Sequence, residues 1–132
     1  MREGWHNWLL AAAWMAMIFI LSSRPQLPEL ERDWLDLVVK KLGHMVGYGV
    51  LAWLYMRALG SSERGGRRTR LVSWLLAVAY ALTDEYHQTF VAGRNGSLVD
   101  VGIDAVGAGT AMLLQWWMSR RRGVVRRVPG VQ

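Results

Sequence analysis

Residues 84–104 read DEYHQTFVAGRNGSLVDVGID and lie between two runs apolar enough to sit in a membrane. The stretch gathers Asp84, Glu85, His87, Gln88, Arg94, Asn95, Ser97, Asp100 and Asp104. Placing one Asp or Lys near the centre of a membrane helix costs roughly 2.5 to 3.5 kcal/mol, so such a group needs a charge partner, a water-filled pocket, or both. A polar cluster in that setting marks a functional site, and the oily flanks mark the fold as membrane helices.

The rest of the composition agrees. With 132 residues the chain has room for one domain. Its hydrophobic fraction is 52%, with eight Trp and seven Met, yet the mean hydropathy is only +0.12 because apolar blocks alternate with charged connections. There is no cysteine, which excludes disulfides, thiol nucleophiles and thiolate metal ligands. The net charge of +6 is concentrated in Arg57, Arg64, Arg67, Arg68 and Arg70 and again in Arg120, Arg121, Arg122, Arg126 and Arg127. Both clusters border apolar runs, where basic residues anchor a cytoplasmic membrane face, so no nucleic-acid partner is expected.

Four spans are expected in order. The first covers 5–21 and is read as a retained helix, against the alternative of a cleaved signal peptide, because Leu21 is a poor residue three places before a cut after Ser23. Pro25 and Pro28 then open an acidic external loop. The second span covers 37–59, with Lys40, Lys41 and His44 early in it and Gly43 and Gly47 forming a GxxxG pair suited to close packing within the chain. A basic linker at 60–70 leads to the third span, 71 to about 91. The turn AGRNGS at 92–97 leads to the fourth, 99–118, with Gly102, Gly107 and Gly109 as close-packing positions. The fold class is therefore all-α: a small polytopic membrane protein with a four-transmembrane-helix bundle at 1–118 and a basic cytoplasmic tail at 119–132. The arginine-rich linker and tail share a face in this layout, so both termini are expected in the cytoplasm. Trp5, Trp8, Trp34, Trp53, Tyr55, Trp116 and Trp117 read as interfacial belts.

That topology brings polar residues to one depth. Lys41 and His44 begin the second span, Asp84 to Gln88 end the third, and Asp100 and Asp104 begin the fourth, with Arg94 in the turn above. Spacings of three or four put Lys41 with His44, Asp84 and Glu85 each with Gln88, and Asp100 with Asp104 on shared faces. Asp84 and Glu85 point about 100° apart, so one can face a pocket while the other pairs with a neighbouring helix.

SSRPQLP after the first span, KLGHMVGYGVLAWL, and DEYHQTFVAGRNGSLVDVGIDAVGAG resemble the VanZ-like membrane proteins over 22–109. The family pattern has Lys and His at the places of Lys41 and His44, Glu and Gln at Glu85 and Gln88, Arg at Arg94 and Asp at Asp100. At Asp104 the family often has Asn, and this chain departs from it. The resemblance implies a protein of the cell envelope linked to teicoplanin-type glycopeptide resistance, without implying a reaction.

Roles follow from residue chemistry. Arg94 suits a phosphate or carboxylate bidentately and Lys41 adds a point charge, with Asp84, Gln88 and Asp104 completing a binding set. Glu85, His44 and Asp100 are the candidate acids and bases. No HExxH or comparable signature is present and two cations share the site, so neither a metal nor a cofactor is expected; Ser97 has no triad partner at a recognisable spacing. His87, off the Glu85 face, reads as an interface residue. A structural ion-pair network is the plain alternative. On the functional reading the pocket opens outward in the membrane and binds, or binds and modifies, an amphiphile such as a lipid-linked cell-wall intermediate or a lipoglycopeptide, with membrane lipids as neighbours. The competing reading is a non-catalytic module that assembles with another envelope protein.

Overall fold

The computed structural model describes residues 2–25, 34–60 and 66–125. They form four helices, α1 (Arg2–Ser22), α2 (Trp34–Leu59), α3 (Arg67–Gln88) and α4 (Leu98–Val125), with no strand among the described residues. Pro28, the charges at 29–33, the linker at 61–65 and the tail from 126 lie outside the described residues.

Four helices stand where four spans were expected, but two of them, over Gly4–Ser22 and Leu98–Arg122, are long and apolar enough to cross a membrane by that measure. Only 17% and 28% of these windows is buried inside the protein, so their apolar surface mostly faces outward instead of filling a core. The other two are diluted by their own polar groups: Lys40, Lys41 and His44 in α2, and the arginines at 67, 68 and 70 with Asp84 and Glu85 in α3. Helix ends also differ from the expected spans. α4 continues past Met118 to Val125, where Arg120 and Arg121 fold back over Trp116 and Trp117 at 4.3 and 3.7 Å. These i,i+4 cation–π pairs favour helix over an open tail.

Interhelical bonds fix the directions. Asn7 near the start of α1 donates to the Arg57 carbonyl near the end of α2 at 3.3 Å, while Ser22 at the end of α1 reaches Asp84 near the end of α3 at 2.6 Å. The helices therefore run up, down, up, down. Indole and phenol donors serve the seams: Trp14 Nε1 donates to the Gly47 carbonyl at 2.9 Å, Trp74 Nε1 to Ala105 at 2.9 Å and Tyr80 to Met15 at 2.7 Å. Such bonds matter where packed helices are surrounded by hydrocarbon, since apolar burial then separates helix from lipid poorly.

α2 and α4 make the closest crossing. A Cβ on Gly107 would run into the Met45 backbone, and one on Gly49 would stand 3.1 Å from the Gly107 carbonyl. The expected pair Gly43 and Gly47 does not serve this seam, for a Cβ at either meets nothing within 4 Å, and the same holds for Gly102; Gly109 makes an ordinary 3.5 Å contact with Trp74. Around the seam lies the core, centred on Tyr48, Leu51, Ala52, Ala77, Ala81 and Ala108. Tyr55 belongs to that core, with its hydroxyl 3.0 Å from Met15 Sδ, and not to an aromatic belt.

Candidate functional site

The α3–α4 turn is folded tightly back over the last turn of α3. Thr89, Phe90 and Val91 donate to carbonyls three residues earlier, which tightens the helix end, and Gly93 takes the positive φ of 74° that reverses the chain. At Gly96 a Cβ would stand 2.5 Å from the Glu85 carbonyl, so the turn approaches the helix as only glycine permits. This brings Ser97 N–H to Glu85 Oε2 at 2.8 Å. Ser97 also caps α4, its Oγ accepting from Val99 N–H at 3.2 Å, which gives this serine a structural task.

Adjacent carboxylates on α3 diverge. Asp84, 2% exposed, accepts from Ser22 Oγ at 2.6 Å, Tyr48 OH at 3.2 Å and Gln88 Nε2 at 3.3 Å, joining α1, α2 and α3. Glu85 faces the other way, into a cavity of about 250 Å³. That cavity is walled by Lys41, His44, Glu85, Gln88, Arg94, Asp100 and Asp104 together with Leu37, Lys40, Gly93, Asn95 and Ile103. Seven of the eight residues expected to form the site thus share one space, contributed by α2, α3, the turn and α4. Asp84 lies off its wall, occupied by the three donors.

Within the wall the charges are partly paired. Lys41 bonds Asp100, with the two side chains 39% and 34% exposed. Arg94 Nε donates to the Arg24 carbonyl beyond α1 at 3.2 Å, which steadies the guanidinium at the rim. Asp100 sits in the first turn of α4, where a negative group is favoured by the helix dipole. Asp104 is 1% exposed and His44 Nδ1 stands 3.6 Å from its Oδ1. His87 turns away to the ring of Phe19, 4.4 Å between centroids. Among the described residues no group of three or more His, Asp or Glu is placed to hold a metal ion.

Several participants escaped the reading of the sequence. Tyr48 lies four residues after His44 and seven after Lys41, a helical spacing that signals the same face. Ser22 reads as a loop residue until α1 is seen to end on it. Lys40 and Asn95, noted in the sequence but given no role in the site, complete the wall.

A model of the family described as VanZ/LLP1 matches residues 7–119. The chain belongs to the VanZ/LLP1 family. The VanZ/LLP1 match begins inside α1 and ends inside α4, so it takes in every residue of the cavity wall. No curated protein and no solved structure matches the chain. Membership in the VanZ/LLP1 family, together with the two outward-facing apolar helices, points to a membrane protein.

Proposed function

We propose that this VanZ/LLP1 protein is a four-span envelope protein whose cavity opens at the outer leaflet and binds the polar head of an amphiphile. All four helices then cross, both termini are cytoplasmic, and the arginines that stack on Trp53, Trp116 and Trp117 lie at the cytoplasmic interface. The observation that carries the reading is the convergence of Lys41, His44, Glu85, Arg94, Asp100 and Asp104 on one cavity beside apolar outer faces. Charged groups in a membrane helix are costly, and grouping them around a wet recess is how a bundle tolerates them.

Size narrows the ligand. Sites for whole drug-sized molecules run from about 300 to 1,000 Å³, so a cavity of about 250 Å³ takes a headgroup and leaves the remainder of the molecule in lipid or solvent. Arg94 and Lys41 at the opening suit a phosphate or carboxylate, as found on lipid-linked cell-wall intermediates and on lipoglycopeptides of the teicoplanin class. Glu85, His44 and Asp100 are the groups that would move protons if the bound head is also modified.

The test offers such amphiphiles to purified protein and to the Arg94→Ala and Glu85→Gln variants. Weaker binding in both variants is expected; equal binding and no turnover in all three would defeat the reading. A second reading, a module assembling with another envelope protein, is favoured by Gly43 and Gly102, where an added Cβ meets only open space. Crosslinking in native membranes that recovers monomers alone would count against it.

A further inference from the structure

The cavity wall contains one carboxyl group that no hydrogen bond reaches, its near neighbour His44 standing just out of range. Both carboxyl oxygens of Asp104 are buried without a hydrogen-bond partner, and its His44 contact at 3.6 Å is longer than a hydrogen bond. The other carboxylates on the wall are engaged, Asp100 by Lys41 and Glu85 by Ser97 N–H. Buried polar atoms are almost always satisfied, because an unmet acceptor forfeits its hydration for nothing. An unmet one in a cavity wall is a place where a donor carried by a ligand can be received.

The sum of the wall charges bears on what carries that donor. Lys41 and Arg94 face Glu85, Asp100 and Asp104, two cations against three carboxylates, with His44 among them. A purely anionic head would add to this surplus of carboxylates and bring no donor to Asp104. A head with both signs matches the wall as a whole and Asp104 in particular.

We infer that the cavity selects a zwitterionic head: a phosphate toward Arg94 and a primary ammonium toward Asp104, the arrangement of a phosphoethanolamine group. An ammonium supplies three N–H donors together with the compensating charge, whereas a quaternary ammonium supplies the charge and no donor. His44, a third exposed and 3.6 Å from the buried Asp104, would turn aside for the ammonium to reach it. This inference rests on the headgroup reading above and specifies its ligand.

The two are separated by lipids with identical tails. Delipidated full-length protein in detergent is titrated with dioleoyl phosphatidylethanolamine, phosphatidylcholine, phosphatidylglycerol and diacylglycerol, and bound lipid is counted by native mass spectrometry. Phosphatidylethanolamine is expected to bind about tenfold more tightly than phosphatidylcholine, the scale of a hydrogen bond to a charged group. Phosphatidylglycerol, which carries hydroxyl donors but a net negative charge, should remain within about threefold of phosphatidylcholine. Asp104→Asn should bring the ethanolamine-to-choline ratio close to one, and Arg94→Ala should weaken both lipids. Equal binding of the ethanolamine and choline lipids by the wild type, glycerol lipid as tight as ethanolamine, or an unchanged ratio in a folded Asp104→Asn protein overturns the inference. If all three phospholipids exceed diacylglycerol equally, the headgroup site survives without this selectivity; if none exceeds it, both fall. Should Asp104→Asn fail to fold, the wild-type ratio decides.

Discussion

Tyr48 and Asp84 are joined by a 3.2 Å hydrogen bond across the α2–α3 seam, with 1% and 2% of the two residues exposed. Ser22 and Gln88 bond the same carboxyl group, so one buried Asp gathers donors from three helices. It sits one residue before Glu85, which lines the cavity. Two neighbouring carboxylates thus divide the work: Asp84 holds α1, α2 and α3 in the register that lets Glu85, Lys41 and Asp100 share a recess. The division predicts different consequences for their removal.

Loss of Asp84 should act on stability. Interhelical hydrogen bonds in membrane proteins are worth about 0.6 kcal/mol on average and up to about 1.7, so Tyr48→Phe should cost within that range. Asp84→Ala abandons three donors together and should cost about 2 to 4 kcal/mol. Reversible unfolding in bicelles measures both. A wild-type transition for Asp84→Ala would mean that the three bonds do not hold the bundle.

Gly107 offers a sharper steric test. Its added Cβ would strike the Met45 backbone, which has no rotamer with which to escape, so Gly107→Ala must move α2 from α4 and should cost at least about 1 to 3 kcal/mol. Gly102→Ala, with open space around it, should fall within about 0.5 kcal/mol of wild type or gain from alanine's helix propensity. Thermal unfolding of the two proteins side by side decides, and equal shifts would refute the crossing described here.

These glycines show where the sequence stopped being informative. Apolar blocks and turn residues mark the four helices, and antiparallel order alone carries Lys41, His44, Glu85, Gln88, Arg94, Asp100 and Asp104 to one end. The 100° step between Asp84 and Glu85 likewise implies two environments, though not which residue takes which. Close approach is different, because it depends on how two helices are rotated against each other. The GxxxG spacing of Gly43 and Gly47 is a local pattern, whereas the contact falls on Gly49 and Gly107, 58 positions apart in the chain. The donors to Asp84 were hidden for the same reason: Ser22 is 62 positions away and Tyr48 is 36. Helix ends depended on side-chain pairs such as Trp117 with Arg121, which carry α4 beyond its apolar run.

Lys41 and Asp100 should contribute more to binding than to folding. Each is more than a third exposed, and exposed ion pairs are worth about 0.2 to 1 kcal/mol. A double-mutant cycle of Lys41→Ala and Asp100→Ala should therefore give a coupling energy in stability below about 1 kcal/mol. Affinity for a phospholipid should fall in Lys41→Ala, because the ligand loses a cation from the wall. A coupling energy of several kcal/mol would instead place the pair among the buried supports of the fold.

The orientation can be read from outside the cell because the chain has no cysteine of its own. Single cysteines placed at Asn95 and at Arg120, both exposed, report opposite ends of the bundle. In the four-span arrangement a membrane-impermeant maleimide added to intact cells labels Asn95→Cys and leaves Arg120→Cys unlabelled until the membrane is opened. The arginines at 120, 121 and 122 argue for this sense, since basic residues at the end of a span are retained on the cytoplasmic side. The reverse pattern would turn the cavity toward the cytoplasm, and the ligand would then have to come from the inner leaflet. Labelling of both positions in intact cells would show that α4 does not separate the two compartments, and the four-span arrangement would be lost with it.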